Sequence, residues 1–136
     1  MTTTADAALT STPDQSWPAA GLLLQALSER DFAAMQSVFA TDVRFRGTIP
    51  PGSFELIGAE PAAGRFQTWF GSQDVFEVLD AGIGQLGEKK YLRWRLRVAS
   101  RETPDEGQIV EQHLFVTGAN QIETVDLLCS GFQPEQ

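Results

Sequence analysis

The chain has 136 residues, about one domain, and at that length roughly two-thirds of the unfolded surface is buried on folding, so a core needs no disulfide or metal. Ten Lys and Arg against 18 Asp and Glu leave a net charge of −8, which repels phosphate backbones and anionic lipid and argues against nucleic-acid and membrane partners. One cysteine and one histidine exclude an intramolecular disulfide and the usual Cys/His zinc sites, so no metal or other cofactor is expected.

No apolar run reaches the roughly twenty residues of a membrane span, and no Lys or Arg precedes a hydrophobic stretch near the start. The expectation is a soluble, cytoplasmic protein. Residues 1–15 are rich in Thr, Ala and Ser without aromatics and read as a disordered leader; residues 16–136 read as one domain.

Ser16 is placed to cap a first helix with Trp17 and Pro18 in its opening turn and Leu23, Ala26 and Leu27 as its buried stripe. Asp31 is placed to cap a second, short helix in which Phe32, Met35 and Phe39 recur at helical spacing. A strand over Val43 to Arg46, a Pro50-Pro51-Gly52 turn and a strand over Phe54 to Ile57 follow. Gly58 opens a third helix with Phe66, Trp69 and Phe70 at i, i+3 and i+4 and Pro61 in its first turn.

Beyond Gly71 the period changes to two, the signature of strands. Val75 to Leu86 reads as an irregular strand broken by Gly82 and Gly84. Lys89 to Ser100 alternates, with Leu92, Trp94, Leu96 and Val98 on one face and Arg93, Arg95 and Arg97 on the other. Turns at Thr103 to Gly107 and at Gly118 to Asn120 lead into strands over Gln108 to Thr117 and Gln121 to Phe132. Helices followed by a meander predict an α+β fold with a curved antiparallel sheet wrapped around the N-terminal helices.

The corner Phe39-Ala40-Thr41-Asp42-Val43, the Ile57-Gly58 entry to a helix carrying Gly64-Arg65, and the hairpin ending Gly118-Ala119-Asn120-Gln121-Ile122 resemble the nuclear-transport-factor-2-like superfamily. The resemblance spans roughly Trp17 to Phe132. It implies a cone-shaped α+β barrel with an apolar interior pocket, commonly in a homodimer. Its members include ketosteroid isomerases, SnoaL-type polyketide cyclases and epoxide hydrolases, so the fold does not select a reaction.

On matched landmarks, the tyrosine, the protonated aspartate and the aspartate base of the isomerases fall on Leu23, Gln112 and Gly47, so that chemistry is missing. The histidine and aspartate of the cyclases fall on Gln112 and Leu127. With Leu92, Trp94, Leu96 and Val98 inside, pairing across the hairpins turns Val110, Gln112, Leu114, Val116, Val125, Leu127 and Cys129 inward as well. Arg95, His113 and Asp126 then become outer-face neighbours, with Arg97 next to Glu111. His113 and Asp126 are the one candidate acid/base pair, set against the reading of alternating charges as a solvated or dimer-forming face.

Two further motifs are weighed and set aside. Gly82-Ile83-Gly84-Gln85-Leu86-Gly87 matches the dinucleotide fingerprint, but a strand follows where a helix N-terminus must receive the pyrophosphate. Cys129 has no base on its own face and reads as a packed thiol. Two functions stand side by side. In the first, the cone binds a hydrophobic, polyketide- or steroid-like molecule against Trp94, Trp69, Phe66, Leu23, Leu114, Leu127 and Cys129, with Gln112 orienting a carbonyl, and acts as a cofactor-free isomerase, cyclase or dehydratase. In the second, it is a non-catalytic dimeric interaction module working through its outer sheet face. A cone filled by Trp94 and Phe66 would favour the second.

Overall fold

A computed structural model describes residues 18–135. The leader over residues 1–15, the Ser16 cap and Trp17 lie outside the described residues. Helix α1 (Pro18–Glu29) buries Leu23, Ala26 and Leu27, the stripe that its spacing predicts. It stops at Arg30, whose φ of 53° is left-handed, and the Arg30 guanidinium donates to the carbonyls of Phe70 and Gln73 at 2.9 and 2.7 Å. The end of α1 is thereby tied to the end of α3 (Ala59–Phe70). Asp31 caps α2 (Phe32–Val38) by accepting from the Ala34 amide at 3.0 Å, an ordinary N-cap bond.

Phe39 is not on the helix. It already has extended backbone and begins β1 (Phe39–Ile49), four residues earlier than the sequence pattern suggests. The register between β1 and β6 (Ile122–Cys129) slips between Phe39 and Arg44, and this bulge absorbs Ala40-Thr41-Asp42. Helical spacing misplaced Phe39 because its burial comes from the third helix: its ring stacks on Phe66 with centroids 6.5 Å apart.

The sheet runs β2 (Gly52–Ile57), β1, β6, β5 (Gln108–Thr117), β4 (Lys89–Ala99), β3 (Val75–Leu86), with a short β7 (Gln133–Pro134) on β5. It is mixed rather than wholly antiparallel, since β1 pairs β6 in parallel while every other pair is antiparallel. Parallel neighbours need a long connection, and here α3 and the β3–β5 meander lie between them in sequence. Strand β3 is continuous through Gly82 and Gly84; its irregularity falls between Val78 and Asp80 instead. The glycines leave room on the outer face, where a Cβ at Gly82 would meet the Arg93 guanidinium at 3.2 Å.

Alternation holds along β4, β5 and the greater part of β6. Leu92, Trp94, Leu96 and Val98 face the helices together with Val110, Gln112, Leu114, Val116, Val125, Leu127 and Cys129, and all are buried. Phe66 is the hub of this core. Its ring meets Phe45 at 5.5 Å, Trp69 at 5.4 Å and Trp94 at 6.3 Å between centroids, besides Phe39. Such stacked and edge-on pairs contribute beyond the area they bury.

Candidate functional site

On the inner face, Gln112 is fully buried and both ends of its amide are engaged. Its Oε1 accepts from the Trp94 indole at 2.8 Å and its Nε2 donates to the Cys129 Sγ at 3.4 Å. A second donor, the Gly131 amide, reaches the same sulfur at 3.4 Å. The polar group expected to orient a carbonyl is thus spent on its neighbours. The thiol that reads as packed is the third member of that chain.

The remaining residues expected around a ligand form one packed cluster: Phe66, Leu23, Leu114 and Leu127 are buried in the core, with Trp69 half-buried against it. Clefts of about 350 to 600 Å³ open on the surface among the described residues; Leu127 lines one of them, beside Gly47 and Phe54, and Trp94, Phe66, Leu23, Leu114 and Cys129 line none of these. At Gly47, where the isomerase base falls on matched landmarks, an added Cβ would run into the Phe54 ring. Arg65 lies over the Phe54 ring at 4.3 Å. One inner-face charge was missed: Lys90 is fully buried. The alternation that turns Leu92 inward places Lys90 on the same face, so the signal was present in the strand pattern.

The chemistry-bearing side chains collect on the outer face instead. His113 stands opposite Arg93 and Leu128, and Asp126 stands opposite Phe115 on β5 and Arg46 on β1. The two candidate acid/base residues therefore do not meet, because the hairpin registers sit two residues from the expected pairing. Asp126 is held by Arg46 at 2.8 Å and Lys89 at 3.6 Å. Arg97 likewise faces Ile109 rather than Glu111 and pairs with Glu77 and Glu135.

What His113 meets is a different set. Its Nε2 lies 2.6 Å from Glu111 Oε2, its Nδ1 is hydrogen-bonded to the Tyr91 hydroxyl, and Glu111 Oε1 accepts from Arg95 Nε at 2.9 Å. The only tyrosine and the only histidine of the chain are thus joined in one line, Tyr91–His113–Glu111–Arg95. The hydrogen bond from His113, and after it that from Arg95, holds the Glu111 carboxyl below its ordinary pKa, so Glu111 remains an ionised acceptor. With Glu111 able only to accept, His113 Nε2 donates to it.

Beside this line lies an apolar cleft of about 350 Å³, floored by Phe115 and Leu128 and edged by Gly84 and Leu86. Leu86 is 64% and Leu128 57% exposed, unusual for leucine on a sheet. Ion pairs surround them: Arg44–Glu55, Arg46–Asp126–Lys89, Arg93–Asp80, Arg95–Glu111, and Arg97 with Glu77 and Glu135. Six of the chain's ten Lys and Arg stand here against six carboxylates. The face is neutral on a chain of charge −8. Among the described residues no group of three His, Cys, Asp or Glu could hold a metal ion, and no helix is long and apolar enough to cross a membrane.

No protein-family model and no curated protein matches the sequence. Solved structures do match in shape. A protein of ketosteroid-isomerase-like fold from Catenulispora acidiphila, in complex with trimethylamine, superposes with a TM-score of 0.65 at 14% identity over 88% of each chain. An NTF2-like protein from Burkholderia xenovorans gives 0.61 at 12% identity over 83% of this chain and 87% of its own. An LEH-like epoxide hydrolase from M. tuberculosis gives 0.60 at 13% over 85% and 83%. The chain has the α+β cone fold of the nuclear-transport-factor-2-like superfamily, with its sheet open rather than closed. Identities this low carry the fold alone.

Proposed function

We propose that the chain is an interaction module: the cone is a filled scaffold, and the outer face of the sheet joins it to a second copy of itself. The observation that carries this reading is the contrast in charge, a neutral face on a chain of −8. Two acidic molecules repel through most orientations, and the neutral side with exposed Leu86 and Leu128 is where that repulsion is least and apolar burial greatest. A packed aromatic interior supports the same reading, since a ligand inside the cone would have to displace Phe66 or Trp94.

Native mass spectrometry together with light scattering tests it. Wild type is expected as a dimer, and Leu128→Arg, which sets one new cation on the face of each copy without touching the core, as a folded monomer. A wild-type monomer carrying a stoichiometric hydrophobic compound would overturn this reading and restore the cone interior as the working site, with Gln112 and Cys129 as the first residues to change.

A further inference from the structure

We propose that the groove between α1 and α2 docks a basic amphipathic helix of another protein, with its apolar side on Leu22 and its cations over Glu29 and Asp31. This goes beyond the dimer. The groove lies on the helices and the dimer face on the far side of the sheet, so it serves a monomer and a dimer alike.

One stripe of each helix builds the groove. Leu22 and Ala26, a turn apart on α1, and Ala34 and Val38, a turn apart on α2, line a cleft of about 410 Å³. Leu22 is 50% exposed, the one large apolar side chain of the described helices left so far in water, and it lies outside the Leu23 and Leu27 stripe that fills the core. Ala34 and Ser37 are short and exposed, which lets another backbone come close. An extended peptide would bring unpaired N–H and C=O groups to a surface whose own backbone groups are bonded within helices. A helix brings them already paired.

Charge sets the sign of the partner. Glu29 stands in the last turn of α1, which holds no basic residue, where the carbonyl end of the helix already carries partial negative charge. Asp31 follows two residues on. Gln25 Nε2 donates to Glu29 at 3.4 Å and the Ala34 amide to Asp31 at 3.0 Å, but neither carboxylate has an ion pair among the described residues. The chain's ten Lys and Arg are committed elsewhere. Six stand in the ion pairs of the outer face, Arg30 donates to the Phe70 and Gln73 carbonyls, Arg65 lies over Phe54, Arg101 pairs with Asp74, and Lys90 is buried on the inner face. The groove thus joins an exposed leucine to two carboxylates with no cation in its lining, the complement of a helix that carries leucine and lysine.

Nearer occupants lack that chemistry. Residues 1–17 hold Asp6 and Asp14 and no Lys or Arg. A second copy offers no basic helix either, since α1 and α2 carry no Lys or Arg and α3 carries only Arg65.

The probe is a labelled, end-blocked peptide of leucine and lysine of about fourteen residues, four turns, patterned at the helical period. It is titrated with the full chain and read by fluorescence anisotropy. Saturable binding is expected, with a gain of helical circular dichroism and an affinity that falls as salt rises. Glu29→Gln combined with Asp31→Asn, which keeps the cap because asparagine caps as well as aspartate, should weaken binding about tenfold, roughly threefold for each exposed charge. Ala34→Arg, a bulky cation set in the groove, should abolish it, and thermal melts verify that both variants are folded. Glu102→Gln combined with Glu106→Gln removes the same charge from the exposed loop before β5 and should leave binding unchanged. Four results would each overturn the proposal: no saturable binding, equal binding of a peptide with the same residues in scrambled order, binding that survives Ala34→Arg, or an equal loss in the two charge-removing pairs. Light scattering on the same samples reads the dimer separately. A dimer that ignores the peptide defeats this inference alone, and a monomer that binds it defeats the dimer alone.

Discussion

The two faces of the same sheet spend their polar groups differently. On the inner face, Gln112 uses both ends of its amide on Trp94 and Cys129, and apart from Lys90 the buried residues of that face are aromatic or aliphatic. On the outer face, Tyr91, His113, Glu111 and Arg95 are bonded just as continuously, but each is half-buried or exposed and an apolar cleft lies beside them. A hydrogen-bonded network closed on itself in a dry core specifies packing. The same kind of network at the edge of an open slot has a direction in which to act. In the sequence, the two faces interleave residue by residue along β4 and β5.

The comparison breaks most visibly at the hub. Phe66→Ala should lower unfolding free energy by about 3–5 kcal/mol, since the vacated volume touches Phe39, Phe45, Trp69 and Trp94 together. Urea denaturation reads this directly. A loss below about 1 kcal/mol would mean that the cone interior relaxes or holds more empty space than the packing implies.

Gln112→Leu should cost about 1–3 kcal/mol, because it leaves the Trp94 indole N–H buried without an acceptor. The double-mutant cycle with Trp94→Phe sharpens it: once the indole is gone, most of the polar part of that penalty should vanish. Additive losses would show instead that the Trp94–Gln112 hydrogen bond contributes nothing of its own.

The smallest effect belongs to the outer face. Glu111→Gln should change stability near neutral pH by about 1 kcal/mol or less, given its exposure. Its sign with pH is nonetheless definite. The folded carboxyl is held below its unfolded value of about 4.3, so its stabilisation is present above that value and is lost as pH falls through the folded pKa. Thermal melts of wild type and Glu111→Gln should converge in acid, and a gap that widens there would contradict the lowered pKa.

Much of the fold was legible because periodicity is local. The stripe of α1, the Asp31 cap and the inward set on β4, β5 and β6 all follow from spacing and turn chemistry along a few residues. Phe39 was misread for the same reason, since a residue at a helix-to-strand corner satisfies both periods and only the ring of Phe66 decides between them. The candidate site was legible as to face but not as to partners. Alternation correctly turns His113 outward, while its neighbours depend on hairpin register, and a shift of two residues keeps every face and changes every pair.

The sequence by itself therefore determined the quantities that are sums or short-range patterns: the charge of −8, the order of helices and strands, and the division of β4 into an apolar and a basic face. Only the tertiary structure decided that β1 lies parallel to β6, that the ring of Phe66 packs against Phe45 and Trp94, and that Tyr91, His113 and Glu111 form one line. The physical reason is the same in all three. Each depends on which distant segments stand side by side and how much volume their side chains take up together, and neither quantity is written in the spacing of residues along one strand.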